Sequence, residues 1–334
     1  MVIVEAAAED GTRGLGYSYA AAAAGELIRE MLVQPLLGMN AEDVGEAWDR
    51  MIYTVRNVGR PGVASAAISA VDIALWDLKA RLAGKALFEL LGPHRRSVPI
   101  YGSGGFTSYS IKELTDQLAG WVERGIPRVK MKIGKDFGTR PEEDVERMRA
   151  AREAIGEDAA LFVDANGAYS DKQAIDLAQR FAELGVTYFE EPVPFDFLEQ
   201  LAFIRQRIPM DLASGEYGYD PYKFRDVLLA GAVDILQADA TRCMGVTGCR
   251  IAADLAFSHG IRFSTHTAPT VHAHVGCAVP QISHLEYFYD HARIEEMFFE
   301  GVLKPIQGAL EPDASRPGLG VELKHQAADQ YRIA

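Results

Sequence analysis

Three short runs decide the fold: Leu161-Phe162-Val163-Asp164, Thr187-Tyr188-Phe189-Glu190 and Leu212-Ala213-Ser214-Gly215-Glu216. Each is apolar and ends on a carboxylate, and the acids are separated by two equal gaps of 26 residues. A gap of that size holds one strand, one helix and two loops, the repeat of a parallel α/β barrel. Acids that close successive barrel strands meet on one face, around the barrel axis. Clustered carboxylates repel unless a cation neutralises them. Oxygen-only ligands select a hard ion, and Mg2+ is the expected one because it keeps positions open for a substrate.

The same rhythm extends in both directions. Strands are expected near 97–102, 128–133, 160–164, 187–191, 210–216, 233–238, 261–265 and 284–288, with helices such as 141–155 and 171–184 between them, the latter capped by Asp171. Eight strands with helical crossovers make a closed barrel; a doubly wound open sheet is the competing arrangement. Residues 1–95 read differently, as an α+β unit. Met1–Glu5 and Leu15–Tyr19 flank Asp10-Gly11 as a hairpin, and Ala64–Ala83 carries an apolar face at helical spacing until Gly84. The barrel is expected over 96–299, and the Pro- and Gly-bearing segment 300–334 is expected to return to the N-terminal unit.

Composition limits the function classes. The 334 residues carry 48% hydrophobic and 24% charged residues and a formal charge of −13, which disfavours nucleic acid or an anionic membrane as partner. The run Ala20–Ala24 is far too short to span a bilayer, and Met1-Val2-Ile3-Val4-Glu5 has no signal-peptide pattern. Three cysteines (Cys243, Cys249, Cys277) without a CxxC pair suit a reducing, cytoplasmic setting.

Further chemistry lies at the remaining strand ends. In Val129-Lys130-Met131-Lys132-Ile133, period-two alternation turns Lys130 and Lys132 to one face. Mutual repulsion, burial and a nearby divalent ion would lower their pKa values, which a lysine base requires. The sixth strand leads to Asp239 and the seventh to His266, a carboxylate placed to hold an imidazole and fix its tautomer. Glu286 closes the eighth strand and, if protonated, would donate to a substrate oxygen. Asn166 is a candidate support for Asp164, and Glu191 faces away from Glu190. His272 and His274, two apart on a helix, point in different directions and form no metal pair. Gly11, Gly14 and Gly16 match no phosphate-binding fingerprint.

Taken in order, Lys130-Met131-Lys132, Val163-Asp164-Ala165-Asn166, Phe189-Glu190-Glu191-Pro192, Gly215-Glu216, Asp239 with Gly245-Val246-Thr247-Gly248, His266 and Glu286 resemble the enolase superfamily, within its mandelate racemase subgroup. The helix around Ala67–Leu78 is similar to the one that closes the family's capping domain. The resemblance implies a modified (β/α)7β barrel under an α+β cap, with Mg2+ on Asp164, Glu190 and Glu216 chelating a small-molecule carboxylate substrate. It implies Lys132 as the base on one face, His266 with Asp239 as base or acid on the other, and Lys130 neutralising the substrate carboxylate. A homo-oligomer is expected. Met244 stands where the family often has glycine. The first strands of the cap, roughly 30 to 40 residues by length priors, are expected to be missing. Three outcomes stay open: dehydration of an acid sugar to a 2-keto-3-deoxy acid, favoured because polyhydroxy acids suit a pocket of Lys, His and Asp; racemisation or epimerisation of an α-hydroxy acid; or a non-catalytic truncated homologue.

Overall fold

The computed structural model describes residues 1–333. Strands β1 (Val2–Ala7) and β2 (Arg13–Ser18) form an antiparallel hairpin, with Val2 opposite Ser18 and Ala7 opposite Arg13. Its turn uses Gly11 at φ +88° and an Asp10 side chain accepting from the Thr12 N–H. β2 lies directly on the helix Val63–Leu82, and here the N-terminal glycines find their purpose. A Cβ at Gly14 would sit 2.2 Å from the Ala74 carbonyl oxygen, and one at Gly16 2.1 Å from that of Ala70. They admit close strand-on-helix packing.

The barrel is built from β3 (Val98–Gly104), β4 (Arg128–Lys132), β5 (Ala160–Asp164), β6 (Val186–Glu190), β7 (Asp211–Ser214), β8 (Ile235–Ala238), β9 (Arg262–Thr265) and β10 (Ile282–Phe288). Each strand pairs in parallel with the next, and β10 pairs with β3, so the sheet closes and the open-sheet alternative is excluded. Tyr101, Phe162, Tyr188, Ala213 and Ile235 fill the interior, and the Phe162 and Tyr188 rings stack 4.6 Å apart. Burying each such ring stabilises the fold by about 1.5–3 kcal/mol. The layer above this apolar plug carries the functional side chains.

The connecting helices start as their sequences dictate. Ser110 and Ser170 each form a capping box, with Glu113 and Gln173 respectively. Ser170, not Asp171, therefore caps the helix Asp171–Glu183: its hydroxyl reaches the N–H three residues on. Beyond residue 300, Ala309–Leu310 pairs antiparallel with the start of β3. Further on, Leu319 N–H donates to Asp77, and Arg81 bridges Asp77 and Glu322, both on the cap-side helix or the tail. Among the described residues no helix is long and apolar enough to cross a membrane.

Cap and barrel meet through buried polar contacts. Asp72 on the Val63–Leu82 helix accepts from the backbone N–H and hydroxyl of Thr247, on the helix Gly245–Ser258. Met244 adopts φ +69°, a conformation glycine enters without strain, and its side chain is fully buried in the cap core. Burial of the thioether side chain, about 1.5–3 kcal/mol, offsets the backbone cost, which accounts for methionine there.

Candidate active site

Register places the acids. Lys132, Asp164 and Glu190 stand side by side at the ends of β4, β5 and β6. Glu190 pairs with Ala213, so simple alternation would aim Glu216, three residues further on, out of the barrel. Gly215 corrects this. At φ +139°, with room for no side chain (a Cβ would lie 2.0 Å from the Gln237 carbonyl oxygen), it turns the chain so that Glu216 points inward. Carboxylate oxygens of Asp164, Glu190 and Glu216 then lie within 4.8 Å of one another, all buried. Asn166 supports Asp164 through its backbone N–H, at 2.8 Å. Glu191 leaves the triad and meets Ser214.

Two buried oxygens of this cluster, Glu190 Oε1 and Glu216 Oε2, have no hydrogen-bond partner. An unsatisfied buried carboxylate oxygen costs about 1–3 kcal/mol or more, and three convergent carboxylates suit a hard divalent cation. The residues present therefore fit Mg2+ bound by Asp164, Glu190 and Glu216.

Both lysines flank the triad, and its carboxylates, with Glu286, dominate their electrostatics. Lys130 donates to Glu190 at 2.6 Å and lies 2.8 Å from Glu286 and 3.4 Å from Asp164; Lys132 pairs with Asp164. Burial pulls both pKa values down, but Glu190 and Glu286 around Lys130, and Asp164 beside Lys132, outweigh it and raise them. The lysine–lysine repulsion anticipated from alternation is outnumbered by carboxylates. Burial pushes Asp164 up, yet Lys132 and Lys130 hold it at about 2, while burial and Asp164 drive Glu190 upward. Burial opposes the charge of Glu286, but Lys130 and then His266 keep its pKa below the usual carboxylate value, and it accepts from the Thr267 N–H at 2.9 Å.

Across the barrel, His266 Nδ1 lies 2.8 Å from Asp239 Oδ2, and Nε2 faces Glu216 at 3.4 Å. The other Asp239 oxygen accepts from both the N–H and the hydroxyl of Thr241, each at 2.7 Å. Against the burial penalty, the His266 contact holds Asp239 ionised. Arg242 spans Glu216 (3.3 Å) and Asp239 (3.5 Å), joining triad to dyad. Sequence reading did not single out Thr241 or Thr267; the Asp-x-Thr spacing was the available sign of the first, while Thr267 contacts Asp239 only through the fold. His272 and His274 diverge as expected, and His274 joins the Phe88 N–H to the Leu319 carbonyl. Beside the triad opens a cavity of about 600 Å3, lined by Asn166, Glu191, Tyr217, Tyr219, Lys223 and, from the cap, Pro61.

The family described as mandelate racemase / muconate lactonizing enzyme, N-terminal domain, matches residues 1–92, and the one described as enolase C-terminal domain-like matches 113–327. The chain belongs to the mandelate racemase/muconate lactonizing enzyme family of the enolase superfamily. Within that family it is 33% identical to the L-talarate/galactarate dehydratase of Salmonella typhimurium over 98% of this chain and 81% of that one. It is 32% identical to the D-galactarolactone cycloisomerase of Agrobacterium fabrum over 99% and 91% of the two chains. Among solved structures, a mandelate racemase/muconate lactonizing enzyme-like protein from Rubrobacter xylanophilus is 50% identical, with TM-score 0.94 over 98% of this chain and 90% of its own. The L-talarate dehydratase of Polaromonas sp. JS666, complexed with Mg and L-glucarate, is 31% identical with TM-score 0.89 over 98% and 90%.

Proposed function

We propose that this chain is a Mg2+-dependent enzyme that removes the α-proton of an acid sugar and expels the β-hydroxyl, giving a 2-keto-3-deoxy acid. One observation carries the reading: the carboxylate triad is flanked by Lys132 at its Asp164 end and by His266 at its Glu216 end. A substrate carboxylate seated over the triad thus has a base to one side and an acid to the other. Bound by Asp164, Glu190 and Glu216, Mg2+ would supply Lewis acidity toward that carboxylate and offset the acidic charge that holds Lys132 protonated.

Lys132, as the free amine, takes the α-proton, and the electron pair moves onto the substrate's carboxylate oxygens. His266, its Nδ1–H held by Asp239, presents Nε2 to the opposite face. As imidazolium it gives its proton to the β-hydroxyl, which departs as water, and the resulting enol tautomerises to the keto acid. Lys130 and Glu286 form the charged floor: Lys130 neutralises Glu190, and Glu286 anchors the Thr267 backbone. Where no β-hydroxyl can leave, reprotonation by His266 at the α-carbon yields the epimer, a second reading favoured by the same two-sided geometry.

In this reading residues 1–95 form the cap, 96–299 the catalytic barrel and 300–334 a returning tail, in a cytoplasmic homo-oligomer. The cysteines support the cytoplasmic setting: all three thiols among the described residues are free, as a reducing compartment keeps them. Incubation with Mg2+ in D2O and a pool of aldonic, aldaric and α-hydroxy acids, followed by proton NMR, tests the reaction. A 2-keto-3-deoxy product is the expected result. Loss of the α-proton signal alone would replace dehydration by epimerisation, and silence would overturn both.

A further inference from the structure

We propose that His272 is the positioning residue of the Asp239–His266 pair, a neutral bridge that ties together the two backbone segments on which the pair stands. His272 is fully buried on the helix Pro269–Cys277. Its Nδ1 lies 2.7 Å from the carbonyl oxygen of Thr267, the residue after His266. Its Nε2 accepts the backbone N–H of Ala240, the residue after Asp239, at 2.9 Å. One imidazole therefore joins the end of β8 to the end of β9, one residue behind each member of the dyad.

The partners settle the tautomer. The Ala240 N–H is a fixed donor, so Nε2 must offer its lone pair, and Nδ1 must carry the proton given to the Thr267 carbonyl. Burial lowers the His272 pKa while the adjacent Cys249 raises it, with a net upward direction. A second proton would nevertheless set an Nε2–H against the Ala240 N–H, so the bridge as built holds a neutral ring.

Why such a bridge is needed is visible in the backbone. Thr267 and Ala268 have φ of +51° and +39°, two consecutive non-glycine residues in the left-handed region, the first β-branched. Such residues are strained and persist only where the surroundings over-determine them. Glu286 takes the Thr267 N–H, Asp239 takes its hydroxyl at 3.3 Å, and His272 takes its carbonyl. Without the last contact the turn relaxes, and His266 moves relative to Asp239 and to the substrate. Displacement on the order of 1 Å at a catalytic group lowers turnover about 10²-fold.

The inference rests on the proposed role of His266, so its test has a readout independent of turnover. In the full-length, Mg2+-loaded protein with 15N-labelled histidine, long-range 1H–15N spectra should show His272 as the neutral Nδ1–H tautomer, and His266 with an Nδ1–H hydrogen-bonded to Asp239. His272→Phe, which cannot bridge, should lose the His266 signature and lower kcat for α-proton exchange on the acid pool by about 10²-fold, with KM within about twofold. His272→Gln offers an amide N–H and a carbonyl and should restore both. A charged or Nε2–H His272 in the wild type overturns the proposal, as does a Phe variant that keeps signature and rate. If the Phe variant does not fold, a folded Gln variant lacking the His266 signature overturns it, and one retaining the signature supports it. Should the wild type turn over none of the acids, the proposed reaction fails while the spectra still decide the role of His272.

Discussion

Asp239 Oδ2 stands 2.8 Å from His266 Nδ1, and the remaining Asp239 oxygen is saturated by Thr241. The carboxylate can thus neither rotate nor trade its partner without breaking its hydrogen bonds to His266, Thr241 and Thr267. Asp239→Asn should therefore leave the fold intact, disturb the imidazole's tautomer and lower turnover by about 10²–10⁴-fold. Mg2+ affinity by isothermal titration should change little, because Asp239 is not in the triad.

Lys132→Ala and His266→Asn each remove one flank of the site. Both should lose dehydration by about 10²–10⁴-fold or more while still binding Mg2+. Full activity in either variant, read by NMR on the acid pool, would remove that residue from the mechanism.

Chelation tests the triad. EDTA should abolish turnover and Mg2+ should restore it. Because the ion binds the folded state, Mg2+ at about 100 times its Kd should also stabilise the protein by about 2.7 kcal/mol. Glu216→Gln should lose most of that thermal shift, since it neutralises a ligand whose buried Oε2 has no hydrogen-bond partner.

Two carboxylates outside the site set a pH dependence of stability. Burial raises Asp72 and Glu295 to about 7; Asp72 faces Thr247 across the cap–barrel boundary, and Glu295 accepts from Tyr17 of the cap and from Thr270. Their ordinary values are 3.8 and 4.5, so between these and about 7 the folded state holds protons that the unfolded state has released. Stability must then fall as pH rises across that window and level off above it, by a few kcal/mol in all. Thermal unfolding of Asp72→Asn/Glu295→Gln against the wild type should show the slope flattened in the double variant.

Gly245 holds the same boundary from the other side. A Cβ there would lie 2.1 Å from Asp72 Oδ2, and φ is +85°. Gly245→Ala should cost about 2 kcal/mol or more, measured as a lower urea midpoint with unchanged slope. The same substitution at Gly156, where nothing lies within 4 Å, should cost less because only the left-handed backbone, at φ +75°, resists it.

Much of the site was legible because strand periodicity is a local property. Apolar runs ending in Asp164 and Glu190 announce both the strands and the acids at their ends, and the Lys130/Lys132 alternation survives intact. Where chain direction changes, periodicity ceases to inform. Glu216 keeps the 26-residue interval yet faces inward only because Gly215 takes a φ that breaks the alternation. The carboxylates around the two lysines were not legible for a related reason: sequence displays the two like charges side by side, while the acids that surround them arrive from β5, β6 and β10.

The amino-acid order by itself determined the barrel repeat, the identity of the triad and the candidate base and dyad, since each depends on spacing along one strand or one repeat. The tertiary structure alone decided which charges neighbour which, why Gly14 and Gly16 must lack side chains, and that His272 lies behind both Asp239 and His266. Those facts depend on distances between segments far apart in the chain. Electrostatic and steric energies follow the distance in space, not the separation in sequence.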